Sequence, residues 1–283
     1  MSQDEIGDDI NMAKYNKIFA SLILLVSMLL AANISTAKSP ANQYADEIAQ
    51  AEELGKIIYE KDIAAWVGTD KLLAELGNDL SGLPIRGWVT DKDKKRYRVN
   101  FIGEKDGEFK IYYQAWTKDK KVKKSKTYEQ GIALTPEQMT MWKARQLVSS
   151  QKFEKCAKTY NTVVVPYEHG GVKKLYVYLF ASTTDPSKVV LGGHHRYTVS
   201  SGGEVIEDHI AFTNSCIELD KQTVPDGSSL AALMISHLKT NYPQEHHVFV
   251  ALSHGQSLYV MATKSDDLYE IKNGKVRVVK TKK

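Results

Sequence analysis

From residue 83 onward the chain alternates apolar and polar residues in short runs separated by tight turns. A period of two places successive side chains on opposite faces of a strand. Tyr97, Val99 and Phe101 alternate with Arg98 and Asn100, and Phe109, Ile111 and Tyr113 alternate with Lys110, Tyr112 and Gln114. Asp106-Gly107 between these runs is a strong hairpin signal. Residues 83–122 therefore read as a three-stranded meander. Val163–Val165, Val172–Ala181, Val189–Val199, Glu204–Cys216, His247–Leu252, Ser257–Thr263, Leu268–Lys272 and Val276–Val279 extend the strand pattern. Turns fall at Gly170-Gly171, Ser200 to Gly203, His254-Gly255 and Asn273-Gly274. Strands joined by short hairpins, with few helical crossovers, define an α+β fold with mostly antiparallel sheet.

Helical spacing is confined to a few segments. Tyr44, Ile48, Ala51, Leu54 and Ile58 recur at helix intervals. Ala65, Leu72, Leu73 and Leu76 continue the pattern after an interruption near Gly68. Thr135-Pro136-Glu137-Gln138 has the cap residue, first-turn proline and third-position glutamine of a helix start, and that helix reads to about Lys158. Ser228–Tyr242 reads as a further helix stopped by Pro243. The fold expectation is thus an N-terminal helical segment, two further helices and antiparallel sheet. It is divided into 1–37 as a leader, 38–130 as helices plus meander, and 131–283 as an α+β domain.

The leader is read from Ile18–Ala32, an uncharged apolar run preceded by Lys14 and Lys17. Its length suits a signal-peptide core, whereas a membrane span needs roughly 20 residues. Ser35 and Ala37 are small residues at the positions a signal peptidase reads, so cleavage is expected near Ala37. A start at Met12 would give a tidier leader, and an uncleaved anchor is the competing reading. The expected location is periplasmic or secreted, with membrane contact only through an uncleaved leader. The chain has 38 basic and 34 acidic residues. Without Lys14, Lys17, Asp4, Glu5, Asp8 and Asp9, 36 and 30 remain, a formal charge of +6. Those lysines are scattered among acids, and no nucleic-acid partner is implied.

Cys156 and Cys216 are the only cysteines. In an oxidising compartment they would form a disulfide, worth about 4 kcal/mol for a loop of about 60 residues in the chain-entropy model. Two separate buried thiols, or a catalytic thiol, are the alternatives.

Residues that could carry chemistry are few. The histidines include two doublets, His194-His195 and His246-His247. Imidazole is the commonest metal ligand, and a zinc site needs three or four donors converging. Both doublets read as strand residues, whose neighbours point to opposite faces, so each supplies at most one inward ring. His195 and His247 are then the pair that a metal-assisted hydrolase would use. No HExxH, HxH or CxxC spacing is present, and histidines packed at strand ends are the ordinary reading. Gly192, Gly193, His195, Arg196 and Tyr197 form a second candidate, because two glycines admit a close approach and the neighbours suit an anion. Its ordinary reading is a bulged strand with surface side chains. There is no nucleophile elbow, Walker loop or dinucleotide fingerprint. Thr117–Lys126 carries six lysines and reads as a solvated hairpin end that could touch anionic lipid or cell-wall polymer.

Four segments carry a resemblance: Tyr160 to Pro166, Leu191 to Tyr197, Phe212 to Cys216, and His246 to Leu252 leading to Leu258-Tyr259-Val260. In these about 125 residues the second half resembles an uncharacterised family of secreted proteobacterial proteins. The resemblance implies an exported setting and a compact domain there, and it transfers no activity or functional residue. The expected function is a non-catalytic protein binding a protein or small ligand of the cell envelope, with no cofactor. The alternatives are a metal-assisted hydrolase, with zinc as its cofactor, and an envelope-surface module docking through the lysine-rich hairpin.

Overall fold

The computed structural model describes residues 43–185, 187–220 and 232–280. The expected leader and its cleavage position lie outside the described residues. No helix among the described residues is long and apolar enough to cross a membrane.

Helix α1 (Ala45–Glu75) runs unbroken through Gly68. Its buried stripe includes Ala51, Leu54, Ile58, Ala65 and Leu72, the spacing of one helix face. The interruption expected near Gly68 is absent, because that glycine faces Val99 of the sheet beneath rather than ending the helix. Strands β1 (Ile85–Asp93), β2 (Arg96–Lys105), β3 (Glu108–Lys118) and β4 (Lys121–Ile132) form an antiparallel sheet in that order. The meander therefore has four strands, one more than its alternation indicated. The lysine-rich β4 lies at an edge, and its pattern shows no buried side chain. Lysines on an edge strand also discourage pairing with other chains.

Helix α2 (Pro136–Ser149) starts on the expected capping box of Thr135 and Gln138 but ends at Ser149 rather than near 158. It packs Met141, Trp142, Ala144 and Val148 between β1–β3 and a second sheet. That second sheet joins β5 (Thr159–His169), β6 (Val172–Ser182), β8 (His195–Ser200) and β9 (Ile206–Ala211), all antiparallel. β7 (Lys188–Val190) pairs separately with β10 (Glu218–Asp220).

The last part departs most from the sequence pattern. The segment read as helix at 228–242 contains strand β11 (Ala232–His237), while residues 221–231 lie outside the described residues. The run read as a strand at 247–252 is helix α3 (Glu245–His254). β11 pairs in parallel with β12 (Ser257–Ala262), and β13 (Asp267–Lys272) and β14 (Lys275–Lys280) complete the sheet antiparallel. Parallel neighbours need a crossover, and α3 supplies it. The result is α+β, with three helices and mostly antiparallel sheet among the described residues.

The described residues from Tyr44 onward form one unit. The N-terminal half of α1 places Leu54 and Ile58 in a core with α3, β5, β6, β12 and β13. Its C-terminal half places Ala64 and Leu72 against β2 and β3. Gly55 makes the α1–α3 crossing possible: a Cβ there would lie 2.5 Å from the Val248 Cβ and 2.8 Å from the Glu245 carbonyl oxygen.

Lys61 is buried on α1, donating to the Thr90 carbonyl, and burial lowers its ammonium to about 8 from 10.5. Between these values the unfolded chain holds the proton that the folded protein has released. Stability therefore rises with pH across that window and lacks this contribution below it, by about 3 kcal/mol. Lys61→Met is expected to raise stability at pH 7 by roughly 1–3 kcal/mol and to remove the rise. Urea unfolding of both proteins at pH 7 and pH 10 checks this. Parallel pH curves for the two would rule out a charged buried Lys61.

Candidate functional site

The two histidine doublets behave differently because they sit on different backbones. His194 just precedes β8, and His195 begins it. On β8, His195, Tyr197 and Val199 are buried on one face, as the alternation indicated. His195 Nδ1 lies 3.0 Å from His209 Nε2, and its ring packs on Phe153 at 4.8 Å. Tyr197 stacks on His209 at 4.1 Å. Burial lowers the His195 imidazole to about 4. Arg196 points to the other side, where it pairs with the buried Glu245 and lies 4.6 Å over the Tyr176 ring.

The glycine pair is approached by this chain's own atoms. A Cβ on Gly192 would stand 2.5 Å from the Ser215 carbonyl oxygen. One on Gly193, whose φ is +76°, would stand 2.4 Å from the Cys156 Cβ. Cys156 and Cys216 are joined in a disulfide with their Cα atoms 5.2 Å apart. The close approach expected at Gly192-Gly193 is thus filled by the disulfide and the backbone beside Cys216, and Arg196 already has its carboxylate. These groups form a packed junction.

His246 and His247 occupy α3, where residues 245–251 are buried all round the helix. Adjacent residues on such a helix can both face inward, so the limit of one inward ring per doublet does not apply. Their rings lie 3.7 Å apart. His237, at the end of β11, joins them at 4.7 Å from His247. One ring nitrogen from each of His237, His246 and His247 lies within 4.8 Å of the others. The three residues are 2%, 0% and 2% exposed. His194 packs 6.2 Å from His246 and is 1% exposed. The structure thus brings His247 together with His237 and His246, and places His195 with His209. Sequence reasoning missed His237 and His246, because it put the first on a helix and the second on the strand face opposite His247.

Burial lowers the imidazoles of His194 and His237 to about 4, and it also lowers those of His246 and His247 well below their ordinary value. All four are neutral near pH 7 and carry the lone pair that a metal requires. Both nitrogens of His246, and Nε2 of His194 and His247, have no hydrogen-bond partner among the described residues. Leaving a buried polar atom unpaired costs about 1–3 kcal/mol, so a concentration of four such atoms calls for an explanation. Three other nitrogens accept from backbone amides: His194 Nδ1 from Ala181 N–H at 3.2 Å, His247 Nδ1 from Gln244 N–H at 3.1 Å, and His237 Nε2 from Thr240 N–H at 3.1 Å. Coordination by Nε2 of His247 would move its proton to Nδ1 and release the Gln244 bond. Such a bond is worth about 1 kcal/mol, against about 10–16 kcal/mol for a structural Zn²⁺. The imidazole set therefore fits a borderline transition metal. Its burial resembles a closed site more than a hydrolytic one, which keeps a coordination position open to water.

A second feature lies on the surface. The β1–β2 and β3–β4 turns converge over α1 around a cleft of about 500 Å³. Lys92, Lys94, Lys95, Arg96, Lys118 and Lys120 line it together with Tyr59 and Tyr97, and Glu60 and Asp119 are its acids. Glu60 accepts from Tyr97 OH at 2.9 Å. Lys120 Nζ lies 5.3 Å over the Tyr59 ring, Lys124 over Trp116 at 5.0 Å and Lys126 over Tyr128 at 4.8 Å. Tyr59 of α1 and Trp116 of β3 thus underlie Lys120 and Lys124, while Tyr128 lies on β4 beside Lys126.

Fold and sites together define a disulfide-linked α+β protein with a buried imidazole cluster and a cationic cleft. Comparison with family models, with curated proteins and with solved structures gives no match.

Proposed function

We propose that this is an exported, non-catalytic binding protein whose cationic cleft takes an anionic ligand of the cell envelope. The carrying observation is that six basic side chains, from two turns far apart in sequence, line one concavity with only two acids. The apolar run at residues 18–32 and the Cys156–Cys216 disulfide are compatible with export. The lysine-rich hairpin contributes Lys118 and Lys120, while Lys92 to Arg96 come from the turn beside it. The shared chemistry of the ligand is a row of phosphate or carboxylate groups, on a polymer or at a lipid surface.

Lys94 and Lys120 are exposed, so reversing their charge leaves the fold intact. Lys94→Glu with Lys120→Glu is expected to weaken binding by about 2 kcal/mol or more, roughly 30-fold, at about 1 kcal/mol per basic group removed. Binding should also fall steeply as salt screens the cleft. Teichoic-type polyphosphate, polyuronate and anionic vesicles, titrated separately, distinguish polymer from lipid. Absence of salt-sensitive binding to all three would overturn the reading.

A further inference from the structure

We infer that His237, His246 and His247 form a buried three-imidazole site for Zn²⁺, with His194 as the candidate fourth ligand, and that the ion ties β11 to α3. Three observations carry this. The three rings each bring a nitrogen within 4.8 Å of the others. They are buried to 2% exposure or less. Both nitrogens of His246, and Nε2 of His194 and His247, lack a hydrogen-bond partner among the described residues.

Packing alone accounts poorly for His246. A buried histidine in an apolar core normally bonds through at least one nitrogen, as His195 does with His209. His246 instead stacks on Phe212 at 4.3 Å and on His247, with no polar contact at either nitrogen. Soft ligands are missing, which disfavours Cu⁺, and carboxylates are not part of the group, which disfavours Mg²⁺ and Ca²⁺. Neutral imidazoles suit Zn²⁺ in tetrahedral geometry with nitrogens about 2.0–2.1 Å from the ion. The nitrogens draw together by small ring rotations on binding. The ion would link the end of β11, the first turn of α3 and, through His194, the segment before β8. This is independent of the cationic cleft.

The test uses protein expressed from the full-length chain with export, purified without a histidine tag or chelator. Metal analysis is expected to find one zinc per chain. After chelation, Zn²⁺ at about a hundred times its Kd should raise Tm by roughly 5–10 °C. Co²⁺ should give the visible ligand-field bands of a tetrahedral nitrogen site. His246→Ala should lose the zinc, whereas His195→Ala, outside the group, should keep it. The Co²⁺ spectrum and the Tm shift are read on the unaltered protein, so they decide the matter even where His246→Ala fails to fold. A folded protein that takes up neither ion, or a zinc that His246→Ala retains, would overturn the assignment.

Discussion

Replacing Cys156 and Cys216 together by serine is expected to destabilise the protein by about 4 kcal/mol and lower Tm by roughly 8–16 °C. The bridge closes a loop with a sequence separation of 60, long enough that much of the effect lies in the unfolded chain. Cys156 is half-buried and Cys216 exposed, so serine at either place leaves little core to collapse. The bridge pins the stretch after α2 to the stretch after β9, and neither stretch belongs to a helix or strand. Gly193 packs directly on Cys156 and should loosen with it. Urea unfolding of the oxidised, reduced and doubly substituted proteins measures the difference. If all three agree within about 1 kcal/mol, the bridge restrains little and the fold rests on its cores alone.

Glu245→Ala should cost about 3–5 kcal/mol, because it strands a guanidinium. Glu245 lies in the first turn of α3 and pairs with Arg196, and Tyr178 OH donates to it at 3.2 Å. Tyr178 is wholly buried, so it also loses the acceptor for its hydroxyl. The carboxylate further opposes the positive end of the helix. Glu245→Gln keeps an acceptor for Tyr178 and should cost less. Arg196→Met combined with Glu245→Met should recover much of the loss, since it removes both charges from the interior. Because His246 is the next residue, unfolding is measured in chelator for all four proteins. Equal stability of Glu245→Ala and the double substitution would mean that the stranded charge is not what costs.

Much of the fold follows from local chemistry. Asp106-Gly107, Gly170-Gly171 and Asn273-Gly274 all adopt positive φ and join antiparallel neighbours. Thr135 and Gln138 cap α2 as their spacing requires. The two cysteines find each other. Each of these depends on a few adjacent residues, or on there being only one possible partner.

Segment 232–254 shows where local chemistry ends. Val248-Phe249-Val250-Ala251 is a short apolar run whose composition favours a strand, and a run of that length fits a buried helix equally well. The helix signals were present: Glu245 in the first turn, Gly255 in the left-handed C-cap with φ +62°. His254-Gly255 reads instead as a hairpin turn. Ala232-Leu233-Met234 favours a helix by propensity, yet pairing with β12 makes it a strand. The imidazole cluster depends on that exchange, because only a helix at 245–254 lets both His246 and His247 face inward, and only a strand at 232–237 delivers His237 to them. The cationic cleft likewise needs two turns brought side by side by the order β1-β2-β3-β4. By itself the sequence determined the hairpins, the cap, the cysteine pair and the α+β class, all set by neighbours along the chain. The parallel crossover at α3, and the sites built on it and on the sheet, were decided by tertiary packing, because long-range pairing outweighs weak local preference.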